Sequence, residues 1–363
     1  MKAEKRMPAS AFGELLKPSD DNIKLVELFG ASRITPKDTF PGIQAFRAGL
    51  AYSHRGADEF CSRLLKNERS AIISGFNSRV KLHLGHAAIL GMDLEFQRKY
   101  GTEVFIPISD DESYLLSKAQ NPQESLSSAF KLVRSLLAFG FNPDKTRVLV
   151  NQLHSETYSL AIKMSRGLTL SEIKAIYGFG EEQNIGMYFY PTIQAAQLVT
   201  PQLFGIRNTL APIGPNEDVY LRACRDVTSR FGYAKPAVLH FKFMPGIDGR
   251  TMSSSKGNAI PLLEEEDALK DRLAASAGGD SVAYLYLKCY FSDSKSATQA
   301  CSDFMEGKVK SEELRSVLLE HLLHFTKEFR ARYDRIGEKE MGKVLLTNEN
   351  RDLKDVLRGL AYG

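Results

Sequence analysis

Residues 70–86 read S-A-I-I-S-G-F-N-S-R-V-K-L-H-L-G-H. The apolar run Ala71-Ile72-Ile73 is too short for a helix and stops at Ser74-Gly75, the pattern of a buried strand. Turn formers occupy Gly75 to Ser78. His83-Leu84-Gly85-His86 then leads into Ala87-Ala88-Ile89-Leu90-Gly91-Met92, which has helical composition and periodicity. A strand, a glycine turn and a helix N-terminus in that order make a phosphate site, because free backbone N–H groups and the positive dipole end face the ligand. Two imidazoles at that point add donors for charge developing on phosphate oxygens. The same four residues also fit a plain helix start with two surface histidines.

A second stretch weighs against that plainer reading. Residues 249–258, G-R-T-M-S-S-S-K-G-N, form a hydroxyl-rich loop with a single lysine, Lys256. Such a loop can close over a triphosphate and supply donors to a leaving pyrophosphate. A serine linker is the alternative, but linkers rarely embed a residue such as Met252 or follow a buried strand such as Val238 to Phe243. The two stretches, in this order, resemble the HIGH and KMSKS motifs of class I aminoacyl-tRNA synthetases.

The 363 residues leave room for two or three packed units, and 43% apolar with 25% charged residues describes an ordinary globular chain. No apolar run reaches the roughly 18 residues that span a bilayer, so no membrane partner is expected. Met1 to Arg6 carry charge with no apolar segment behind them, unlike a secretory signal. Cys61, Cys224, Cys289 and Cys301 are scattered. They suggest neither a disulfide framework nor a metal site, and they fit a reducing, cytoplasmic setting. A net charge of +4 permits nucleic-acid binding through a local basic face without requiring it.

Along the chain, Asn22 to Phe29 and Gly56 to Leu65 look helical, and residues 1–69 read as an N-terminal extension. Thr102 to Ile108 is a second buried strand, and strand–helix–strand alternation implies a doubly wound parallel sheet. Ligands of such sheets lie beyond the carboxyl ends of the strands, where Gly75–His86 and Asp110-Asp111-Glu112 fall. The acidic cluster is either a solvated helix start or the receiver of a substrate ammonium. Pro122 to Phe139 is helical, Thr146 to Val150 is a strand and Ser155 to Tyr177 is helical again. Residues 115–185 read as a helical insertion in a Rossmann-type domain spanning 70–261. Pro191 marks a helix start with Gln194 one turn in, either a satisfied polar residue or a ligand-reading amide. Leu210 to Ile213 is a strand and Asp218 to Phe231 a helix. Residues 262–363 are helical, with a stripe at Leu314, Leu318, Leu322, Phe325 and Phe329. Lys327, Arg330, Arg332 and Arg335 crowd the end of that helix, as favourable dipole charge or as an RNA contact.

From about Val26 onward the chain resembles the tryptophanyl-tRNA synthetases of the archaeal and eukaryotic type. The stretches that carry the likeness include Tyr52-Ser53-His54-Arg55, His83 to His86, Ser109 to Leu115, Tyr177-Gly178-Phe179, Pro191 to Ala196, Gly232 to Pro236 and Met252 to Ser255. The resemblance implies a class I Rossmann domain followed by a helical anticodon-binding-like domain, in a homodimer. It implies attack of the carboxylate of L-tryptophan on the α-phosphate of ATP, with Mg2+ arriving on the nucleotide, and then transfer to tRNA(Trp). His83, His86 and Lys256 would be catalytic. Gly75, Gly85, Asn216, Met252, Ser253, Ser254 and Ser255 would bind ATP. Ile73, Glu112, Gln194 and Glu217 would bind the amino acid, with Gln194 on the indole N–H and Glu112 on the ammonium. No dedicated protein metal site is implied.

Several positions differ from the family pattern. Ile73 stands where an indole-facing tyrosine is usual, and Pro107 where a glutamine precedes the acidic cluster. Asn216-Glu217 replaces Asp-Gln, and Thr251 replaces the lysine opening the second motif. Two other functions therefore stand beside tryptophan charging. One is a diverged relative activating another amino acid or small carboxylate; the other is a non-catalytic tRNA- or nucleotide-binding protein.

Overall fold

The computed structural model describes residues 16–35, 42–275 and 278–347. The outermost parts of the N-terminal extension and of the C-terminal helical region lie outside them. Three short elements come first: α1 (Asp20–Glu27), β1 (Ser32–Arg33) and α2 (Gln44–Arg47). They are followed by β2 (Ala51–Arg55), α3 (Ala57–Leu65), β3 (Ser70–Ile73), β4 (Phe76–Asn77), α4 (Leu84–Tyr100), β5 (Glu103–Ser109) and α5 (Asp110–Leu115). Next are α6 (Pro122–Phe139), β6 (Thr146–Val150), α7 (Ser155–Ser165), α8 (Leu170–Tyr177) and α9 (Ile185–Leu203). The sheet continues through β7 (Asn208–Ile213), α10 (Asp218–Arg230) and β8 (Ala237–Phe241). The remainder is α11 (Glu266–Ala274), α12 (Gly279–Tyr290), α13 (Lys295–Met305), α14 (Ser311–Arg335), α15 (Glu338–Val344) and β9 (Leu345–Leu346).

The strands lie in the order β1-β2-β8-β7-β3-β5-β6-β9, with β4 beside β5. From β8 to β9 every pairing is parallel; β2 joins β8 antiparallel. Two apolar layers cover the two faces, and the period of two along each strand deals its side chains between them. Ile72, Ile106, Ile108, Val148 and Val150 enter the layer shared with α4, α6 and the C-terminal helices. Ala71, Ile73, Phe105 and Leu149 enter the layer shared with α7, α9 and α10. This double coverage is why the strands read as continuous apolar runs.

The sheet draws on all the segments that sequence separated. β1 and β2 come from residues before 70, β6 from the expected insertion, and β9 from the C-terminal region. α6 keeps its expected bounds because its signals are local: Asn121 caps it, Pro122 opens it, and Gly140 at φ +108° closes it. α9 corrects an expectation. It begins at Ile185, where Asn184 Oδ1 accepts from the Met187 N–H at 3.0 Å, so Pro191 lies inside it. The interior proline costs a helix about 3 kcal/mol, offset by burial of Tyr190, Ile193, Ala195, Ala196 and Val199.

In α14, Leu314, Leu318, Leu322 and Phe329 are buried as the stripe implies, and Phe325 is partly so. Part of the basic cluster turns inward. Arg332 Nε donates to the Ala138 carbonyl at 2.7 Å, and the Arg330 guanidinium donates to the Glu264 carbonyl. From α6, Arg134 stacks 4.2 Å from the centre of the Tyr333 ring. No helix among the described residues is long and apolar enough to cross a membrane.

Candidate active site

His83 is the N-cap of α4, and its Nδ1 accepts from the Gly85 N–H at 3.1 Å. His86, at N3, returns the bond: its Nδ1 accepts from the His83 N–H at 3.3 Å. A neutral imidazole that accepts at Nδ1 carries its proton on Nε2. Burial lowers the pKa of His83 to about 4; burial and the neighbouring His83 lower that of His86 to about 3. Both rings, 3.9 Å apart at their centres, are therefore neutral near pH 7 and each has one outward donor. Gly85 separates them for a steric reason. A Cβ there would sit 2.9 Å from His83 Cε1 and 3.2 Å from Met252 Sδ. Gly85→Ala should lower ATP–pyrophosphate exchange about ten-fold or more by shifting His83, with little change in the thermal midpoint.

The serine loop is strapped to this turn. Leu84 donates to Ile260 and Leu262 to Leu82 through backbone bonds of 3.0 and 2.9 Å, and the Gly85 N–H lies 3.1 Å from Met252 Sδ. A cavity of about 670 Å³ opens between them, lined by His83, Gly85, His86, Asn216, Glu217, Met252, Ser253, Ser254 and Ser255. Ser253 and Ser255 hydroxyls are 2.9 Å apart, and the Ser253 N–H donates to Asn258 Oδ1 at 2.8 Å. Lys256 is exposed and outside this lining. Four other cations are on the wall instead: Arg79 and Lys81, from the turn before His83, and Lys118 and Lys242. Lys118 and Lys242 stand alone in sequence, so only the fold connects them to the site.

An adjoining cavity of about 500 Å³ shares His86, Asn77, Asn216 and Glu217 with the first. Ile73, Gly75, Glu112 and Gln194 also line it, with Pro107, Ser109, Tyr190 and Gln197. Glu112 Oε2 accepts from Asn77 Nδ2 at 2.7 Å, while burial holds its pKa above the usual range. Glu217 is open to the cavity, so water moderates the desolvation by the walls around it. Those walls, followed by the Glu112 charge, still raise its pKa above the usual carboxylate range. Two carboxylates thus face one space. Gln194 Oε1 accepts from the Tyr177 hydroxyl at 2.9 Å. Asn77, Tyr190 and Gln197 went unread in the sequence; the i, i+4, i+7 spacing of Tyr190, Gln194 and Gln197 was the available signal.

The acidic cluster divides. Asp110 is buried and accepts from Gln152 Nε2 at 2.6 Å; burial and then the Asp111 charge push its pKa up to about 7. Asp111 accepts from Asn151 and Tyr158, leaving Glu112 as the member that reaches the cavity. Beneath Glu217, Asp218 is 1% exposed and accepts from Arg55 Nε and a terminal guanidinium nitrogen, both at 2.8 Å. It also faces His240 Nε2 at 2.8 Å, whose Nδ1 is 2.9 Å from Ser53 Oγ. Burial alone would raise the Asp218 pKa, but the bonds from His240 and Arg55 hold it well below the usual carboxylate range. This knot fixes α10 and the Asn216-Glu217 turn before it to β2 and β8.

Comparison with known proteins agrees with this geometry. The family model described as "tRNA synthetases class I (W and Y)" matches residues 65–324. A protein of Halobacterium salinarum called tryptophan–tRNA ligase 2 is 30% identical over 369 residues, covering 94% of this chain and 95% of that one. The tryptophan–tRNA ligase of Saccharolobus solfataricus is 28% identical, covering 89% and 92%. The fold is shared with the tryptophanyl-tRNA synthetase of Aeropyrum pernix, at a TM-score of 0.78 and 23% identity over 91% of this chain and 97% of that one. A strand–turn–helix with two neutral imidazoles at its cap, a serine loop strapped across it and a match spanning most of the sequence lead to one assignment. The chain belongs to the class I tRNA synthetases of the W and Y family.

Proposed function

We infer that this enzyme activates L-tryptophan with ATP and transfers the aminoacyl group to tRNA(Trp). The observation that carries this reading is the junction of two cavities at His86, Asn216 and Glu217. One is lined by the imidazoles and the serine loop, the other by apolar walls and two carboxylates. In this scheme the triphosphate lies between α4 and residues 252–255, with Gly85 and Asn216 giving close backbone or amide approach, and Gly75 borders the neighbouring cavity where the α-phosphate and amino acid would meet. The tryptophan ammonium sits between Glu112 and Glu217, and the ring lies beside Gln194, among Ile73 and the other apolar walls. The substrate carboxylate attacks the α-phosphorus, forming a P–O bond as the bond to pyrophosphate breaks. His83 and His86 donate from Nε2 to the charge gathering on the phosphate oxygens. Ser253, Ser255 and, on closure of the loop, Lys256 hold the departing pyrophosphate. A ribose hydroxyl of the tRNA then takes the acyl group and AMP leaves.

Magnesium fits this scheme as part of the nucleotide. Among the described residues no group of three or more His, Cys, Asp or Glu side chains could hold a metal ion. We assign the helical residues from 262 onward to anticodon binding and the active form to a cytoplasmic homodimer. Ile73 and Pro107 on the cavity wall favour a second reading, activation of another amino acid or small carboxylate. Pyrophosphate exchange with each of the twenty amino acids tested singly decides between them. Exchange with tryptophan alone is expected. Exchange with a different acid supports the second reading, and none with any acid points to a non-catalytic binder.

A further inference from the structure

Apart from Glu112, Asn216, Glu217 and Tyr220, the wall of the amino-acid cavity contains few unspent hydrogen-bonding atoms. Ile73 and Pro107 have none to offer a ring nitrogen. Ser74 donates to Asp93 at 2.6 Å, and both ends of the Asn77 amide are engaged, by Glu112 and by Ser113. Gln194 Oε1 takes the Tyr177 hydroxyl, and Ser109 Oγ takes Tyr190 at 2.8 Å. Gln197 differs. Its Nε2 donates to Asn151 Oδ1 at 2.9 Å and to Ser109 Oγ at 3.2 Å, and its Oε1 has no partner among the described residues.

The direction of that amide follows from a chain of obligatory donors. The Glu112 backbone N–H donates to Asp111 Oδ1 at 2.8 Å, so this oxygen is an acceptor. The Asn151 atom 2.8 Å from the same oxygen must then be the NH2 group. Asn151 therefore turns its Oδ1 to Gln197, which must answer with Nε2 and keep Oε1 for the cavity. All of these groups except Asp111 and Glu112 are buried, where leaving a partner unmatched is costly, so the amide does not flip freely.

We propose that Gln197 Oε1 is the acceptor that reads the ring N–H of the substrate, and that Asp111 sets its direction through Asn151. This rests on the tryptophan reading above. It moves the indole-reading role from Gln194, whose oxygen already accepts from Tyr177, to the residue one turn further along α9, whose oxygen accepts from no described residue.

The test compares tryptophan with β-(3-benzothienyl)alanine, in which sulfur replaces the ring N–H, in ATP–pyrophosphate exchange. The wild-type enzyme should use the sulfur analogue roughly ten- to hundred-fold less efficiently. Gln197→Leu should bring the two within a few-fold by lowering kcat/KM for tryptophan, leaving the KM for ATP unchanged. Gln194→Met should keep the wild-type preference. Equal use of both substrates by the wild type overturns the proposal without any variant, and so does a full preference surviving in Gln197→Leu. A wild-type enzyme inactive with tryptophan removes the functional reading itself and this inference with it.

Discussion

His86→Ala lowers tryptophan-dependent adenylate formation by about 100-fold or more. His86 lines both cavities, and its Nδ1 is fixed by the His83 N–H, so its free donor lies where the two cavities meet. Burial keeps the ring neutral. It can therefore gain a strong bond as charge builds on the phosphate in the transition state, at little reorganisation cost. Loss of one such preorganised donor typically costs about 2.7–4 kcal/mol of transition-state stabilisation. Single-turnover measurement of adenylate formation checks this. A rate within three-fold of wild type would mean that His86 merely closes the helix cap.

Asp218→Ala should destabilise the fold by about 3–5 kcal/mol, because it leaves Arg55 and His240 facing each other in a buried site without their shared acceptor. Urea unfolding at pH 7 measures it. The folded-state pKa of Asp218 is depressed, so its contribution is complete above the unfolded value of about 4 and is lost as pH falls below it. The gap between wild type and variant should therefore narrow as the pH is lowered through the acid range. A gap independent of pH would assign the loss to packing. Residual activity should fall as well, since the turn bearing Asn216 and Glu217 leans on this knot.

Legibility in the sequence followed the range of the physics involved. α6 and β3 were readable because cap, proline, glycine and apolar run all lie within them. The turn into α4 was readable because its cap is compressed into His83 to His86. α9 was misjudged at Pro191, where Asn184 and a buried face outweigh the penalty that makes proline a boundary signal. Gln197 was hidden for another reason: its direction is decided by Asp111 and Asn151, far away in sequence. Arg55 was visible as part of a familiar stretch, but nothing local showed that it clamps Asp218. Arg330 and Arg332 had two readings in sequence, and the carbonyls they meet belong to segments that only folding brings near.

The strand β9 sets a timetable for the molecule. β6 is flanked by β5 on one side and by β9 on the other, and β9 is made about 200 residues after β6. At ordinary rates of synthesis that interval is roughly 10–40 s. Throughout it, one margin of β6 has unpaired N–H and carbonyl groups while the helical region is still emerging from the ribosome. Nascent chains of this protein are thus vulnerable to strand-to-strand association on polysomes, and chaperone demand should fall once residue 346 has been released.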